Sequence, residues 1–181
     1  MRRTSLLLGL LAVAVLAAVL VIVLKPFASA ATLGGPLGPA GNLSTACEPT
    51  QLGRPVTIGI QDFTNSGHGN VVIDRLALGD PRDIKLAGAY TLPGRYAVGA
   101  WATFPPPASQ LDTGVQWAKR QPPPGTRIRP GHWISVAVGV ERTGHRIGRT
   151  TGIVIWYHDG TAHYELRTLL QIELKVGLAP C

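Results

Sequence analysis

Two histidines near the C-terminal end of the chain are the residues best placed to do chemistry. His158 and His163 flank Asp159-Gly160, a dipeptide typical of a two-residue type I′ β-hairpin loop. Such a loop would set Trp156 opposite His163, with His158 two pairs nearer the turn, opposite Thr161. The two imidazoles would then be diagonal neighbours on one face, with Cβ atoms roughly 7–8 Å apart, which is close enough to share a cation.

A metal site at this hairpin would need a third protein ligand, because zinc normally has at least three. Asp159 is committed to the predicted turn, and Glu165 lies farther along the strand. The single methionine is Met1, so a methionine-rich copper site is excluded. We therefore expect no metal and no cofactor, and interpret the pair as polar residues on a solvent-exposed hairpin face. The alternative is an exported metal-binding or hydrolytic protein that uses His158, His163 and a neighbouring acid.

Enzyme motifs are missing from the rest of the chain. It has no Gly-x-Ser-x-Gly elbow, no His-Glu-x-x-His, no phosphate-binding glycine loop and no acidic cluster. We therefore predict that the protein is not an enzyme and assign no catalytic residues.

Aromatic side chains give a second indication of function. Trp156 alternates with Ile155 and should share the outward face with the histidines, and Trp133 is out of step with Ile134. Exposed tryptophans on a sheet are typical of protein or glycan interfaces. The alternative is that the proline-rich segment 105–130, which contains Trp117, covers them. The predicted binding residues are Trp156, His158, His163, Trp133 and Arg167, the last on the outward face of the closing strand.

These side chains would be positioned by β-strands. Hydrophobic residues alternate with polar ones from Ala162 to Val176, which predicts one buried and one exposed face, with a bend near Arg167-Thr168 because the run exceeds a usual strand. In the segment 71–78 the alternation changes phase, which predicts a β-bulge near Asp74-Arg75. About seven short strands and no 3.6-residue period indicate an all-β sandwich.

The N-terminal segment predicts export. Residues 6–24 are uncharged and almost entirely Leu, Val, Ala and Ile, enough to span a bilayer core of about 30 Å as one helix. Arg2 and Arg3 precede this run, which favours a cytoplasmic N-terminus and a single-pass protein with its C-terminal domain outside. The alternative is a signal peptide cleaved near Ala30 and a secreted protein. The predicted organisation is a signal anchor or signal peptide over 1–27, a flexible linker over 28–46 and an extracytoplasmic domain over 47–181.

The positive charge does not indicate a nucleic-acid partner. Arg2, Arg3 and Lys25 flank the apolar run and supply three of the +7 formal charges, which leaves +4 on the exported part. The densest basic group, over 141–150, contains three arginines and two glycines. We interpret it as a solvated hairpin loop; the alternative is contact with an anionic ligand or lipid headgroup.

Cys47 and Cys181 are the two cysteines, and they bracket the predicted domain. In an exported protein they most simply form one disulfide. The alternatives are a reactive free thiol and a lipid attachment site. Cys47 lies too far beyond the hydrophobic run for a lipoprotein signal.

Several stretches resemble a group of small actinobacterial exported proteins that have an N-terminal hydrophobic segment. They are CEPTQLGRPVTIGIQDFTNSGHGNVVIDRLAL, LAGAYTLP, IRPGHWISVAVGVERTG and GIVIWYHDGTAHYELRT, with the terminal cysteine, within residues 42–181. The resemblance implies an immunoglobulin-like extracytoplasmic domain and supplies no active-site residues. With the predicted anchor, it leads us to expect a non-catalytic, membrane-tethered module that binds another envelope protein or a cell-wall component.

Overall fold

The computed structural model describes residues 32–40, 44–96, 99–111 and 114–177. These residues form an all-β structure with two short 3₁₀ helices, Ala108–Gln110 and Trp117–Lys119. No helix in these ranges is long and apolar enough to cross a membrane, and the predicted span 6–24 lies outside them. The strands are, in chain order, β1 (Thr32–Leu33), β2 (Leu37–Ala40), β3 (Ser44–Thr50), β4 (Pro55–Asn65), β5 (Val71–Gly79), β6 (Ile84–Pro93), β7 (Ala100–Trp101), β8 (Arg127–Ile128), β9 (Trp133–Arg142), β10 (Gly148–Thr150), β11 (Gly152–Asp159), β12 (Ala162–Arg167) and β13 (Leu170–Val176).

The strands form three sheets. The first, which carries the histidine hairpin, has the order β1-β12-β11-β5-β8. The second has the order β2-β4-β9-β6, with β7 beside β4, and the third has the order β10-β13-β3. Neighbouring strands are antiparallel except for β1 with β12 and β3 with β13, which are parallel.

One hydrophobic core draws residues from all three sheets. Val56 and Phe63 come from the second sheet, Ile73 and Ile155 from the first, and Ile172 from the third. Each of these side chains is at most 2 % exposed. The three sheets therefore share this core. In β9 both faces are largely buried, and Leu92, Trp117 and Ala137 form a second buried cluster.

The closing segment confirms the predicted alternation and bend. It divides into β12 and β13 at Thr168-Leu169, next to the predicted position. Even-numbered residues from Leu166 to Leu174 are buried, whereas Arg167 and Gln171 are exposed. The outward face of β12 is therefore the one that carries His163 and Glu165.

The predicted bulge in β5 is also confirmed. Trp156 pairs with Arg75 and Tyr157 pairs with Ile73, so Asp74 is the extra residue of the bulge. Val71 and Ile73 point into the core before the bulge, and Leu76 packs against the core after it. The extra residue preserves burial of both halves of the strand, because without it one half would face solvent.

The predicted hairpin loop was one residue too early, which shifted the predicted strand pairing by two residues. The two-residue loop is Gly160-Thr161, so Asp159 pairs with Ala162 and His158 lies directly opposite His163. Gly160 has φ +60°, whereas Asp159 and Thr161 have negative φ. A type I′ loop at Asp159-Gly160 would need positive φ at both residues, and a loop that starts with glycine needs it only at the first.

The structure also differs from the predicted number of strands and from the predicted linker. Thirteen strands occur in the described residues instead of about seven, because several have only two to four residues. Within the predicted linker 28–46 lie β1, β2 and the first residues of β3. Leu37 is 1 % exposed, and its amide donates to the Tyr157 hydroxyl. Backbone pairing and one buried leucine anchor this stretch, and neither requires a periodic sequence.

Cys47 lies on β3, opposite Glu173 of β13, and is not a free thiol. Its predicted partner Cys181 lies outside the described residues, so the disulfide between them stays a prediction.

Candidate metal centre

The two histidines form a directly opposed cross-strand pair on the outward face of the first sheet. Their ring centroids are 5.6 Å apart, and the rings are tilted by 46°. Both side chains are accessible, with exposed fractions of 30 % for His158 and 42 % for His163. Direct opposition brings the imidazoles closer than the predicted diagonal arrangement, because paired Cβ atoms are nearer than diagonal ones.

Asp74 completes the group. Its Oδ1 lies 2.7 Å from Nδ1 of His158, and its Oδ2 lies 3.8 Å from Nδ1 of His163. One potential ligand atom from each residue falls within 4.8 Å of the others. A single carboxylate therefore faces both imidazoles, one with each oxygen.

Asp74 lies on the face of the first sheet that carries the two histidines. Alternation gives it this direction, because Ile73 before it points into the core. The bulge turns Arg75 to the same face and returns Leu76 to the core. Sequence reasoning predicted the bulge but did not connect Asp74 with the histidines, because no local signal shows that β5 pairs with β11.

Two imidazole nitrogens and one carboxylate oxygen suit zinc and other divalent first-row metals, such as iron, cobalt and nickel. Three protein ligands leave at least one coordination position open. Tetrahedral coordination with bonds of about 2.0–2.1 Å would bring the ligand atoms roughly 3.4 Å apart. Asp74, His158 and His163 therefore need side-chain rotation and no change of strand pairing to hold an ion.

A second row of side chains lies beside this cluster and is internally bonded. Trp156 donates through Nε1 to Oε2 of Glu165 at 2.9 Å, and Arg167 donates through Nε to Oε1 at 2.7 Å. The guanidinium of Arg75 stacks on the Trp156 ring, with Cζ 3.6 Å from the centroid. Glu165 is therefore occupied by Trp156 and Arg167 and does not supply a fourth ligand.

The core side of the hairpin is held by a tyrosine pair next to the histidine pair. Tyr157 stacks on Tyr164 with centroids 5.2 Å apart. Its hydroxyl donates to the carbonyl of Gly34 at 2.7 Å and accepts from the Leu37 amide at 3.3 Å. Burial raises the pKa of Tyr157 to about 12. The neutral hydroxyl thus ties the hairpin to the segment before β2.

The predicted binding residues do not form a single surface. Trp156, His158, His163 and Arg167 share the hairpin face, but Trp133 lies on β9 of the second sheet, with Arg95 over its ring at 5.0 Å. Trp117 of the proline-rich segment packs edge-on against Tyr90 on β6, with centroids 5.6 Å apart. The contacts of Trp156 are with Arg75 and Glu165, so the proline-rich segment is not what holds it.

Comparisons with known proteins do not assign the chain to a family. Neither family models nor curated protein sequences match the chain. A solved structure described as the Vibrio cholerae VesB protease aligns with a TM-score of 0.39 and 11 % sequence identity. The alignment covers 77 % of this chain and 32 % of that one, so this chain spans about a third of the length of the protein it matches.

Proposed function

We propose that this protein is a membrane-tethered extracytoplasmic module that binds a divalent transition metal through Asp74, His158 and His163. The observation that carries this proposal is the Asp74 carboxylate, whose two oxygens lie 2.7 and 3.8 Å from the Nδ1 atoms of the two imidazoles. The sequence alone had offered two ligands. The third ligand favours a metal site over a solvent-exposed polar face without a ligand.

Extracytoplasmic placement is supported by the sequence. The uncharged run 6–24 follows Arg2 and Arg3, a pattern that favours export of the remaining chain. A hydrophobic core shared between mostly antiparallel sheets supports an immunoglobulin-like β-sandwich for the exported domain. Outside the cytoplasm an accessible cluster can exchange metal with the surroundings, and the 30–42 % exposure of its three side chains suits that exchange.

We propose binding without catalysis. A hydrolytic site needs a general acid or base beside the metal-bound water. The nearest additional carboxylate on this face, Glu165, already accepts from Trp156 and Arg167. With both oxygens occupied, Glu165 is poorly placed to move a proton.

Metal titration of the full-length protein in dodecyl maltoside tests the proposal. We expect about one zinc or cobalt ion per chain, and cobalt should give the visible absorption of a low-coordinate nitrogen and oxygen site. His163→Ala and Asp74→Asn should each weaken binding at least tenfold. His145→Ala is the matched control, because His145 is an exposed histidine outside the cluster.

Unchanged affinity in both cluster variants, or an equal loss in His145→Ala, would overturn the metal site. Far-UV circular dichroism of each variant shows that the sheet structure is retained, so that a loss of affinity is not a loss of fold.

A second candidate function is the binding of another envelope protein or wall polymer by the corner that follows β12. Leu169 is 55 % exposed, and the side chain of Arg167 beside it is 58 % exposed. The buried centre of an interface is more apolar than the remaining surface, and arginine is enriched in interfaces. Photo-crosslinking from position 169 in the native membrane should capture one reproducible partner. The control is position 68, where His68 is exposed on a different loop. Equal capture from both positions would contradict it.

A further inference from the structure

A basic cleft lies at the β8 edge of the first sheet, two strands from β11, where the end of β6 meets the connection between β8 and β9. Its volume is about 450 Å³, and its described lining includes Arg95, Arg127, Arg129, His132 and Trp133 and no aspartate or glutamate. All three arginines are exposed. The cleft therefore concentrates positive charge around an open space.

Arg95 is held in place by buried polar groups. Its Nε donates to Oδ2 of Asp62 at 3.2 Å, and Oδ1 of Asp62 accepts from the Ser135 hydroxyl at 2.6 Å. Ser135 is fully buried and also accepts from the Tyr96 amide at 2.7 Å. The Arg95 guanidinium lies over the Trp133 ring, with Cζ 5.0 Å from the centroid. One edge of the guanidinium is thus fixed, and its two terminal nitrogens have no partner among the described residues.

The opposite wall of the cleft is organised by Asn65, which is fully buried. Its side-chain amide donates to the carbonyls of Gly69 and Ile128, at 2.7 and 2.9 Å. Its backbone carbonyl accepts from Gly131, and its amide donates to His132. These bonds fix the connection that carries Arg127, Arg129 and His132, so the cleft is rigid before any ligand arrives.

Arg127 and Arg129 have no counter-charge in the described part of the chain. The Arg95 charge is balanced by Asp62, which leaves two unbalanced guanidinium groups along one cleft. In the other basic group, Arg149 is paired with Glu173 at 3.0 Å, Arg142 is 4 % exposed, and the cleft that contains Arg146 is also lined by Asp83. An unbalanced pair of guanidinium groups favours an anionic ligand.

We propose that this cleft binds a phosphate monoester group, with Arg127 and Arg129 as its charged contacts and Arg95 as a fixed third donor. A phosphate monoester carries close to two negative charges and three terminal oxygens, which several guanidinium groups can share. A carboxylate has one charge, and would balance only one of the two arginines. The site shares no residue with the metal cluster, and Arg127 is separated from His158 by Val72 on β5.

The test is calorimetric titration of the full-length protein in dodecyl maltoside with glycerol 3-phosphate. We expect saturable binding that the double variant Arg127→Gln/Arg129→Gln weakens at least tenfold. The double variant Arg82→Gln/Arg146→Gln removes two exposed arginines from a different cleft and should change the affinity by less than twofold. Glycerol replaces the phosphate ester in the blank titration.

A second ligand distinguishes the source of the phosphate. Dihexanoyl phosphatidic acid presents the same group on a short-chain lipid. Similar affinities for the two ligands identify a soluble phosphate ester as sufficient, and tighter binding of the lipid identifies a lipid headgroup. Absence of saturable binding of both ligands, or an equal loss of affinity in the two double variants, would overturn the proposal. We expect both double variants to stay folded, because all four substituted arginines are exposed. Circular dichroism tests this separately, since unfolding would remove the wild-type spectrum.

Discussion

The metal cluster and the basic cleft obtain their geometry in different ways. Asp74, His158 and His163 lie on the face of a sheet, and the pairing of three adjacent strands places them without a hydrogen bond from the cluster to a buried side chain of the described residues. The cleft lies at strand ends and loops, where backbone pairing stops. Its walls are fixed by the buried side chains of Asn65 and Ser135. We therefore expect that substitution of the residues that support the cleft lowers folding stability, whereas substitution of the cluster residues lowers only the affinity for metal.

The largest effect on stability is expected for Asn65→Ala. The substitution removes two hydrogen bonds donated to Gly69 and Ile128, and one accepted from the Gly67 amide. Because buried carbonyls are left unsatisfied, we expect the free energy of unfolding to fall by about 3 kcal/mol. Urea unfolding followed by tryptophan fluorescence measures it.

Asn70→Ala is the matched control for that experiment. Asn70 is exposed, and its replacement should change the free energy of unfolding by less than about 0.5 kcal/mol. If the two variants were equally stable, the cleft would not depend on Asn65, and the contrast with the metal cluster would disappear.

The next effect concerns the stability that a metal ion adds. At a free zinc concentration of 100 times its dissociation constant, the wild-type protein should gain about 2.7 kcal/mol, because zinc binds the folded state. His163→Ala should gain almost nothing, and without metal its stability should match that of the wild type within about 0.5 kcal/mol. Thermal unfolding with and without zinc gives both values. A large loss of stability in metal-free His163→Ala would contradict our inference that strand pairing alone positions the metal cluster.

The sequence predicted the parts of the metal cluster that depend on alternation. The bulge at Asp74 follows from the change of phase between Ile73 and Leu76, and the shared face of Trp156 and His158 follows from period two. The contact between Asp74 and the histidines does not follow, because it requires β5 to pair with β11. The loop register was missed because Asp159-Gly160 and Gly160-Thr161 are both compatible with a tight turn.

The cleft was not predicted because no local signal joins its residues. Arg95 and Arg127 are far apart in the chain and meet only through the pairing of β9 with β4 and β6, and of β8 with β5. Similarly, β2 pairs with β4 through its backbone, and its sequence Leu37–Ala40 contains glycine and proline instead of an alternating pattern. A period of two in the sequence indicates which face of a sheet a side chain occupies. It does not indicate which strands are neighbours, because that depends on the whole fold.

Tyr157 tests whether the hairpin depends on a buried polar group on its core side. Its folded-state pKa is raised to about 12, above the ordinary value of 10.0, so the unfolded chain loses this proton first. Stability should therefore fall as the pH rises from about 10 to about 12, by about 2 kcal/mol in total. Urea unfolding across this range measures the slope.

Tyr157→Phe isolates that contribution. The variant lacks the bonds to Gly34 and Leu37, so it should be about 1 kcal/mol less stable at pH 7 and should show a smaller slope above pH 10. Tyr164→Phe is the control, because its ring stacks on Tyr157 but its hydroxyl has no hydrogen bond to another of the described residues. An unchanged slope in Tyr157→Phe would assign the alkaline destabilisation to other groups.

The smallest effect compares the arginine–tryptophan pairs of the two regions. Arg75 lies 3.6 Å from the Trp156 centroid on the metal face, whereas Arg95 lies 5.0 Å from the Trp133 centroid in the cleft and is also bonded to Asp62. Double-mutant cycles with Arg→Ala and Trp→Phe should give a coupling energy of about 0.5–1 kcal/mol for the first pair. The second should be below about 0.5 kcal/mol, since distance weakens the cation–π attraction and Asp62 already orients the guanidinium. A larger coupling in the cleft would mean that Trp133 positions Arg95, and that an aromatic contact contributes to the support we assign to buried hydrogen bonds.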